Sequence, residues 1–245
     1  MIPKIIHYCW FGKNPKPDIM IKCIESWRKY LPEWEIIEWT EDNYDINVCQ
    51  YVRDAYEIKK WAFVSDYARL DILYKYGGIY LDIDVEFLKP LPDDYLNCSG
   101  ILAFEYTKTV APGLIFGANA GNEFIKSILK IYETERLSYE KTGIYKTINA
   151  RITDALLLEG LKKNNQYQEI AGFCIYPSEY FCGYNTDIRE PEITDNTIAW
   201  HHYLGSWSNP SLKMKIQDIL KKVIGVKKYK RLLLFIRRIR GNESN

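Results

Sequence analysis

The sequence predicts an α/β protein built on a mixed, mostly parallel sheet flanked by helices. An apolar run at 4–11, a helical pattern and a second apolar run at 35–39 give the strand–helix–strand order of a parallel sheet. A Gly-Gly pair at 77–78 then separates a long helical pattern from an alternating strand pattern. Apolar residues make up 47% of the 245 positions, which is enough to bury one sizeable core.

Each element follows from local signals along the chain. Gly12 ends the first strand, and Pro32 stops a helix that runs from Asp18 to about Tyr30. No GxGxxG motif follows the first strand, so a dinucleotide cofactor is not expected. The next expected elements are helical residues 50–76, whose segment from Trp61 to Tyr76 stops at the Gly-Gly pair, strand and loop at 100–120, and helices at 121–137 and 150–163. An aromatic, loop-rich stretch follows at 171–208, and a basic helix from Pro210 onward breaks near Gly225.

Two aspartates stand out after the Gly-Gly turn. In the expected strand from Ile79 to Val85, apolar side chains alternate with Tyr80, Asp82 and Asp84. Two carboxylates on one face can approach a hard cation such as Mg²⁺ or Mn²⁺ together. Such an ion would stabilise a diphosphate leaving group. The alternative is a pair of solvated acids on an edge strand, but acids in an apolar strand are costly without a partner.

Two further groups of polar residues suggest a site. Asp66 and Arg69 lie three apart on one side of the preceding helix, next to Ser65. They form either a surface ion pair or a group that holds hydroxyls and phosphate. Near the end of the chain, His201 and His202 precede a Gly-Ser-Trp sequence. An imidazole there suits the coordination shell of Mn²⁺, and Ser206 and Trp207 can donate hydrogen bonds to phosphate.

The cysteines and the amino terminus predict a reducing compartment. The six cysteines show no CxxC pair and no metal-ligand spacing, so we expect reduced thiols. The amino terminus has no signal-peptide pattern, because Pro3-Lys4 interrupts a short apolar run. These features predict a cytoplasmic protein.

The tail is strongly basic. From Ser211 to Asn245 there are eleven Lys or Arg residues against two acids, a net charge of +9, which leaves −8 for residues 1–210. Apolar residues recur in the tail at helical spacing, which is typical of an amphipathic helix on an anionic membrane. The alternative is a docking helix with a solvated basic face. No nucleic-acid recognition motif accompanies the charge, so nucleic acid is not an expected partner.

Long motifs in the chain resemble glycosyltransferase family 32, the enzymes with a DXD-containing sugar-binding region. The resemblance is carried by residues 62–70 (AFVSDYARL) and 73–84 (LYKYGGIYLDID). It is also carried by the opening residues 2–12 (IPKIIHYCWFG) and by His201-His202 with Gly205-Ser206-Trp207. The clostridial glucosylating toxin catalytic domains are more distantly similar. The likeness spans roughly residues 1–210, which we take as a catalytic domain, with 211–245 as a basic tail.

The resemblance implies a GT-A fold, a divalent metal and a retaining hexose transfer from a nucleotide-sugar. UDP-sugars are favoured as donors, and GDP-mannose remains possible. The acceptor would be a saccharide, with a lipid-linked one favoured, in capsule or O-antigen assembly at the inner face of the membrane. The positions implied are Trp10 at the base, Ser65, Asp66 and Arg69 at ribose, sugar and phosphate, Tyr80 beside the nucleotide, Asp82 and Asp84 at the metal, His202 (or His201) as a later metal ligand, and Ser206 and Trp207 at the diphosphate.

Two candidates are added for the sugar, and one departure from the family is clear. Asn119 and Asp154 are expected near the donor sugar. The family's Thr-Gly-Pro is replaced by Thr147-Ile148-Asn149, so the geometry there is open.

Two other functions remain as alternatives: a metal-dependent phosphohydrolase, and a non-catalytic, membrane-associated carbohydrate-binding protein.

Overall fold

The computed structural model describes residues 1–137, 145–204 and 212–242. The strands are β1 (Ile5–Cys9), β2 (Glu35–Trp39), β3 (Gly78–Tyr80), β4 (Val85–Phe87), β5 (Gly100–Ala103), β6 (Phe116–Ala118), β7 (Gln168–Ile170), β8 (Phe173–Tyr176), β9 (Tyr184–Asn185), β10 (Glu190–Pro191) and β11 (Ala199–His201). The helices are α1 (Asp18–Tyr30), α2 (Gln50–Glu57), α3 (Trp61–Tyr76), α4 (Glu123–Thr134), α5 (Ile148–Leu158), α6 (Ser178–Phe181), α7 (Leu212–Ile224) and α8 (Val226–Asn242).

The main sheet has seven strands in the order β2-β1-β3-β6-β5-β8-β7. Strands β2, β1 and β3 pair in parallel. Strand β6 runs antiparallel to both β3 and β5, while β8 is parallel to β5 and β7 is antiparallel to β8. Five of the seven strands therefore point the same way, which confirms the mixed, mostly parallel sheet. Their carboxyl ends meet at one edge, where ligands bind in open α/β sheets.

Apolar packing on the two faces of the sheet fixes the helices. One cluster joins α2, α3, α4 and α5 to the sheet, and a second joins α1 to the opposite face. Helix α3 is buried along most of its length. It begins with Trp61 and ends at Gly77, as the sequence predicts. Because α3 leads directly into the parallel strand β3, its first half lies toward the carboxyl edge of the sheet.

The strand that was expected from Ile79 to Val85 is shorter in the structure. Strand β3 ends at Tyr80, and the Val85 amide donates to the Asp82 carbonyl at 3.0 Å, which closes a turn. Leu81 and Ile83 are buried in this turn as expected, but Tyr80 and Asp84 are buried too, so only Asp82 is partly exposed. The two aspartates therefore lie on a turn beyond the strand, not within it.

Two cysteines correct the expectation of reduced thiols. Cys98 and Cys174 form a disulfide between the residues before β5 and strand β8. Strands β5 and β8 pair in parallel, with Ile101 opposite Cys174, so neighbouring strands hold the two sulfurs together. The other four cysteines are free and buried. A chain without paired motifs gives no sign of such a bridge, because only the strand order brings the two residues together.

The described residues form two compact units. The first contains residues 1–184 and 191–204, and the second contains residues 185–190 with the described part of the tail. In the second unit, α7 and α8 meet at Gly225, whose φ of +80° marks the predicted break. Among the described residues, no helix has both the length and the apolar character needed to cross a bilayer.

We predict that the close approach at Gly78 makes it much less replaceable than Gly160, which has a similar backbone conformation. Gly78 has φ +94°, and a Cβ there would lie 2.7 Å from the Ile5 carbonyl oxygen and 2.9 Å from His7 Nε2. Gly160 has φ +98° but no atom within 4 Å of its Cβ position. Gly160→Ala should cost about 1 kcal/mol of unfolding free energy, and Gly78→Ala about 2–4 kcal/mol, because overpacking adds to the backbone strain. Denaturant titration measures both, and equal losses would contradict this account.

Candidate active site

The candidate site lies at the carboxyl edge of the sheet, within the first unit. Trp10 directly follows β1, and the turn with Asp82 follows β3. The Leu81 amide donates to the His7 carbonyl at 3.0 Å, which extends the pairing of β1 and β3 toward the site. Strand β6 starts at this edge, and the Asp82 amide donates to the Gly113 carbonyl at 2.9 Å. The edge thus gathers loops from three strands around Asp82.

Arg69 connects helix α3 to the turn. Its Nη1 lies 3.3 Å from Asp82 Oδ1, and its Nη2 lies 3.3 Å from Asp66 Oδ1. Its Nε donates to the Ser65 carbonyl at 3.1 Å, and the guanidinium lies over the Tyr80 ring at 4.4 Å. Both Asp66 and Arg69 are buried. The Asp66–Arg69 pair is therefore buried and extends to Asp82. It is not an isolated ion pair at the surface.

Burial and the arginine set opposite pKa shifts on its two partners. Burial raises the pKa of Asp66 to about 6, although Arg69 acts in the other direction. Burial alone would also raise the pKa of Asp82, but Arg69 and a hydrogen bond from His201 lower it to about 2. The pKa of Arg69 is raised, because Asp82 and its other anionic neighbours outweigh the effect of burial. Asp82 therefore keeps a negative charge in a largely enclosed site.

Strand β11 supplies the other wall of the site. His201 Nε2 lies 3.3 Å from Asp84 Oδ1 and 3.8 Å from Asp82 Oδ2. The Leu204 amide donates to Asp84 Oδ2 at 3.1 Å, and the Tyr203 amide donates to His201 Nδ1 at 3.0 Å. Burial alone would lower the pKa of His201, but Asp84 and Asp82 raise it. The imidazole is therefore turned toward both carboxylates.

The histidine beside the aspartates is His201, which corrects the position expected for His202. Along β11 side chains alternate, so Trp200 and His202 share one face, with ring centroids 3.9 Å apart. His202 Nε2 lies 2.8 Å from Glu86 Oε2. The register that pairs β11 with β4 decides between the adjacent histidines, and the sequence alone left both open.

Gly113 shapes the space that the Asp82 carboxylate occupies, and the sequence analysis missed it. A Cβ at Gly113 would lie 2.0 Å from Asp82 Oδ2, so any larger residue would collide with the carboxylate. The Gly113 carbonyl also accepts the Asp82 amide. A lone Pro-Gly pair carries no sign of this contact, since the antiparallel pairing of β3 and β6 creates it. Oδ1 of Asp82 therefore faces Arg69, while Oδ2 faces Gly113 and His201.

Three other candidates lie near this edge in different settings. Trp10 is half-buried, and its Nε1 donates to the Asn14 carbonyl at 2.6 Å. The Ser65 hydroxyl donates to the Trp61 carbonyl at 3.1 Å, within its own helix. Tyr80 is 1% exposed, so its ring supports Arg69 and presents no surface to a nucleotide.

Two candidates are not brought to the site. Asn119 follows β6, which runs antiparallel to β3 and pairs Ala118 with Gly78. Asn119 thus lies near the start of β3, roughly 15 Å from Asp82 at about 3.3 Å per residue. Asp154 is exposed on α5, where it pairs with Lys146 at 2.8 Å. Strand direction and helix face therefore keep both residues away from the aspartates. Ser206 and Trp207 lie outside the described residues.

Asp82, Asp84 and His201 form a donor set that fits a divalent cation. One ligand atom from each lies within 4.8 Å of the others. Two carboxylates and an imidazole suit Mn²⁺, and the carboxylates also suit Mg²⁺. The Asp82 side chain is 33% exposed and that of Asp84 only 12%, so the set opens to solvent on the Asp82 side.

Comparisons with known proteins agree with this geometry. Residues 17–102 match the family described as "Glycosyltransferase sugar-binding region containing DXD motif". Inositol phosphoceramide mannosyltransferase 3 of Schizosaccharomyces pombe is 37% identical over 92 residues, 34% of this chain and 24% of that protein. Subversion of eukaryotic traffic protein A of Legionella pneumophila is 28% identical over 178 residues, 59% of this chain and 27% of that protein. The chain thus spans about a quarter of the length of these relatives.

The fold has a counterpart among solved structures. PaToxG glycosyltransferase aligns with a TM-score of 0.50 and 19% identity, over 65% of this chain and 69% of that chain. This likeness confirms the GT-A fold, and the family match confirms the resemblance over the segment that contains α1, α3 and the aspartates. The match to the sugar-binding region supports the expected enzyme class, which stays a prediction for the chain as a whole.

We predict that the two adjacent histidines differ sharply in metal binding. His201→Ala should weaken Mn²⁺ binding at least tenfold, because it removes an imidazole beside both aspartates. His202→Ala removes contacts with Glu86 and Trp200, on the strand face away from the aspartates. It should change the affinity less than about threefold, below the roughly tenfold loss expected at a ligand. Electron paramagnetic resonance titration of free Mn²⁺, with UDP present, measures both variants. Equal losses, or a loss confined to the His202 variant, would contradict the assignment.

Proposed function

We propose that this protein is a metal-dependent, retaining glycosyltransferase that moves a hexose from a nucleotide-sugar to a saccharide acceptor. The observation that carries the proposal is the Asp82–Asp84–His201 donor set, joined through Asp82 to a buried arginine on α3. The diphosphate oxygens gain negative charge as the sugar leaves, and positive charge beside them stabilises that state. This site offers one fixed positive charge, the arginine guanidinium, next to a ligand set for a divalent cation.

Each side chain has a physical role in that proposal. Arg69 is held on three sides by Asp66, Asp82 and the Ser65 carbonyl, so its charge needs little reorganisation during reaction. Asp82 and Asp84 would hold Mn²⁺ or Mg²⁺ with His201, and the bound ion would supply charge stabilisation to the departing diphosphate. Asp66 keeps Arg69 in place, and its own carboxylate accepts the Ile148 amide at 3.3 Å.

The proposed stereochemistry follows from how the carboxylates are engaged. Asp82 contacts Arg69 and His201, Asp84 contacts His201 and the Leu204 amide, and Asp66 contacts Arg69. A double-displacement glycosidase needs one carboxylate free to attack the anomeric carbon, and none of these three aspartates is free. We therefore propose that the acceptor hydroxyl attacks from the face that the diphosphate leaves, which retains the anomeric configuration.

The donor and acceptor are proposed by class. UDP-sugars come first, and GDP-mannose belongs beside them because of the similarity to proteins named mannosyltransferases. The acceptor is a saccharide, and a lipid-linked one would suit a protein with a basic amphipathic tail. The process we propose is assembly of a cell-surface polysaccharide such as capsule or O-antigen.

A donor panel tests the proposal. Wild-type protein with Mn²⁺ should release nucleoside diphosphate from at least one of UDP-glucose, UDP-galactose, UDP-N-acetylhexosamine and GDP-mannose. Chelation should abolish the release, and Asp84→Asn should lower kcat/KM at least about 100-fold, as expected for loss of a group that stabilises the transition state. Asp154→Asn is the matched control, since this exposed aspartate lies off the site and should leave activity unchanged.

The outcomes separate the proposal from its rivals. Phosphate release from simple esters without any nucleotide-sugar turnover would favour a phosphohydrolase. Binding of saccharides without turnover of any donor would favour a non-catalytic carbohydrate-binding protein. Full activity in the Asp84 variant would overturn the proposed role of the aspartates.

We also propose that the tail binds the inner face of an anionic membrane. On α7, Ile216, Ile219 and Val223 recur at helical spacing and are 48%, 60% and 74% exposed. On α8, Phe235 is 62% exposed, and Lys227, Lys228 and Arg231 are exposed as well. An apolar stripe beside basic side chains suits the boundary between lipid headgroups and acyl chains.

We predict that binding depends on the basic side chains of α8. Reversal of Lys227, Lys228 and Arg231 to Glu should lower binding to phosphatidylserine vesicles at least tenfold, since each basic residue near such a surface contributes about 1 kcal/mol. The control reverses Lys162 and Lys163, which are exposed on the first unit. Vesicle co-sedimentation measures both. Equal binding by the α8 variant and the parent would overturn the membrane proposal.

A further inference from the structure

Glu105 lies at the same edge of the sheet as the proposed donor site, which does not use its carboxylate. It follows β5, whose carboxyl end points toward the site as that of β3 does. The Glu105 amide donates to the Thr109 carbonyl at 2.8 Å, and the Lys108 amide donates to the Glu105 carbonyl at 2.9 Å. The tight turn 105–109 therefore holds this side chain at a fixed place.

The two bonded partners of the Glu105 carboxylate are both hydroxyls. The Thr107 hydroxyl donates to Oε1 at 2.7 Å, and the Tyr203 hydroxyl donates to Oε2 at 3.5 Å. Burial raises the pKa of this carboxyl group. Within the described residues, no Lys, Arg or His forms an ion pair with it. A carboxylate can accept about four hydrogen bonds, so Glu105 has capacity for further hydroxyl donors.

Tyr203 connects Glu105 to the Asp82–Asp84–His201 donor set. Its φ of +50° is unusual for a residue with a side chain, and such a conformation persists only where the surrounding contacts hold it. This conformation lets the Tyr203 amide reach His201 Nδ1 while the ring packs 4.2 Å from the imidazole. The next amide, that of Leu204, reaches Asp84. The strained Tyr203 backbone thus lies at the point that connects Glu105 to His201 and Asp84.

Glu105 and Arg69 belong to different elements at this edge of the sheet. The segment that starts at Glu105 returns through Val110 and ends at Gly113, against Asp82 Oδ2. Arg69 meets Asp82 at the other oxygen, Oδ1. Arg69 on α3 therefore contacts Asp82 directly, whereas Glu105 connects to His201 and Asp84 through the segment that carries Tyr203.

We propose that Glu105 binds a hydroxyl group of the saccharide acceptor and that Tyr203 is the residue that positions Glu105. The inference rests on the proposed function. The acceptor oxygen forms a bond to the anomeric carbon, and the bond from that carbon to the diphosphate oxygen breaks. The electron pair leaves with the diphosphate, which also takes the proton of the attacking hydroxyl. Glu105 stays ionised throughout and acts by orienting the acceptor.

The test compares hydrolysis with transfer in the full-length protein. Hydrolysis of the active donor, with water as acceptor, reports the donor side alone. Transfer to a panel of methyl hexopyranosides reports the acceptor side. Glu105→Gln should raise the acceptor KM about tenfold or more, as expected when a hydrogen bond to a charged group is lost, and should leave donor hydrolysis and the donor KM within about twofold, a change below 1 kcal/mol. Tyr203→Phe should raise the same acceptor KM by a smaller factor.

Controls keep each outcome interpretable. Glu123→Gln on α4 removes an exposed acid and should change neither reaction. Mn²⁺ titration checks that the Glu105 variant retains its metal site, and thermal unfolding checks that it is folded. An unchanged acceptor KM in a folded Glu105 variant, or an equal loss of hydrolysis and transfer, would overturn this inference alone. Absence of any nucleotide-sugar turnover in the parent would instead overturn the proposed function.

Discussion

The buried bridge of Arg69 between Asp66 and Asp82 is the interaction on which the rest of the site depends. A charged group inside a protein is tolerated only when opposite charge and hydrogen bonds surround it, and removal of one partner leaves the others uncompensated. Here a helix and the turn after a strand each contribute to the same charge balance. The bridge therefore fixes where the turn lies, and the position of Asp84 beside His201 follows from it.

The local part of this arrangement could be predicted from the sequence. Helix α3 and its Gly77 stop follow from the apolar spacing and the glycine pair, and β1, α1 and β2 end within a few residues of their expected bounds. Asp66 and Arg69 are close in sequence, so a shared helix face brings them together. The alternation around Asp82 and Asp84 predicted their common setting, although the strand itself stops at Tyr80.

The positions that the sequence did not predict depend on pairing between strands that are distant in the chain. The choice between His201 and His202 is made by the register between β11 and β4, which one strand pattern does not contain. Asn119 lies at the wrong end of β6 because that strand runs against its neighbours. The Gly113 contact with Asp82 arises in the same way. A period of two tells which residues share a face, but it does not tell which strand lies next to which, or in which direction.

The sequence separations within the site have a consequence for how the protein acquires its chemistry. Arg69 and Asp82 are thirteen residues apart, whereas the Leu204 amide that binds Asp84 lies 120 residues further along the chain. During synthesis the arginine bridge can form early, but the wall supplied by β11 is available only after nearly the whole first unit has emerged. Contacts of such separation form late, since loop closure precedes any gain in free energy. The nascent chain therefore passes through a long stage in which Arg69 already holds Asp82 while Asp84 still lacks both His201 and the Leu204 amide. The cation-binding set is completed only with the last strand.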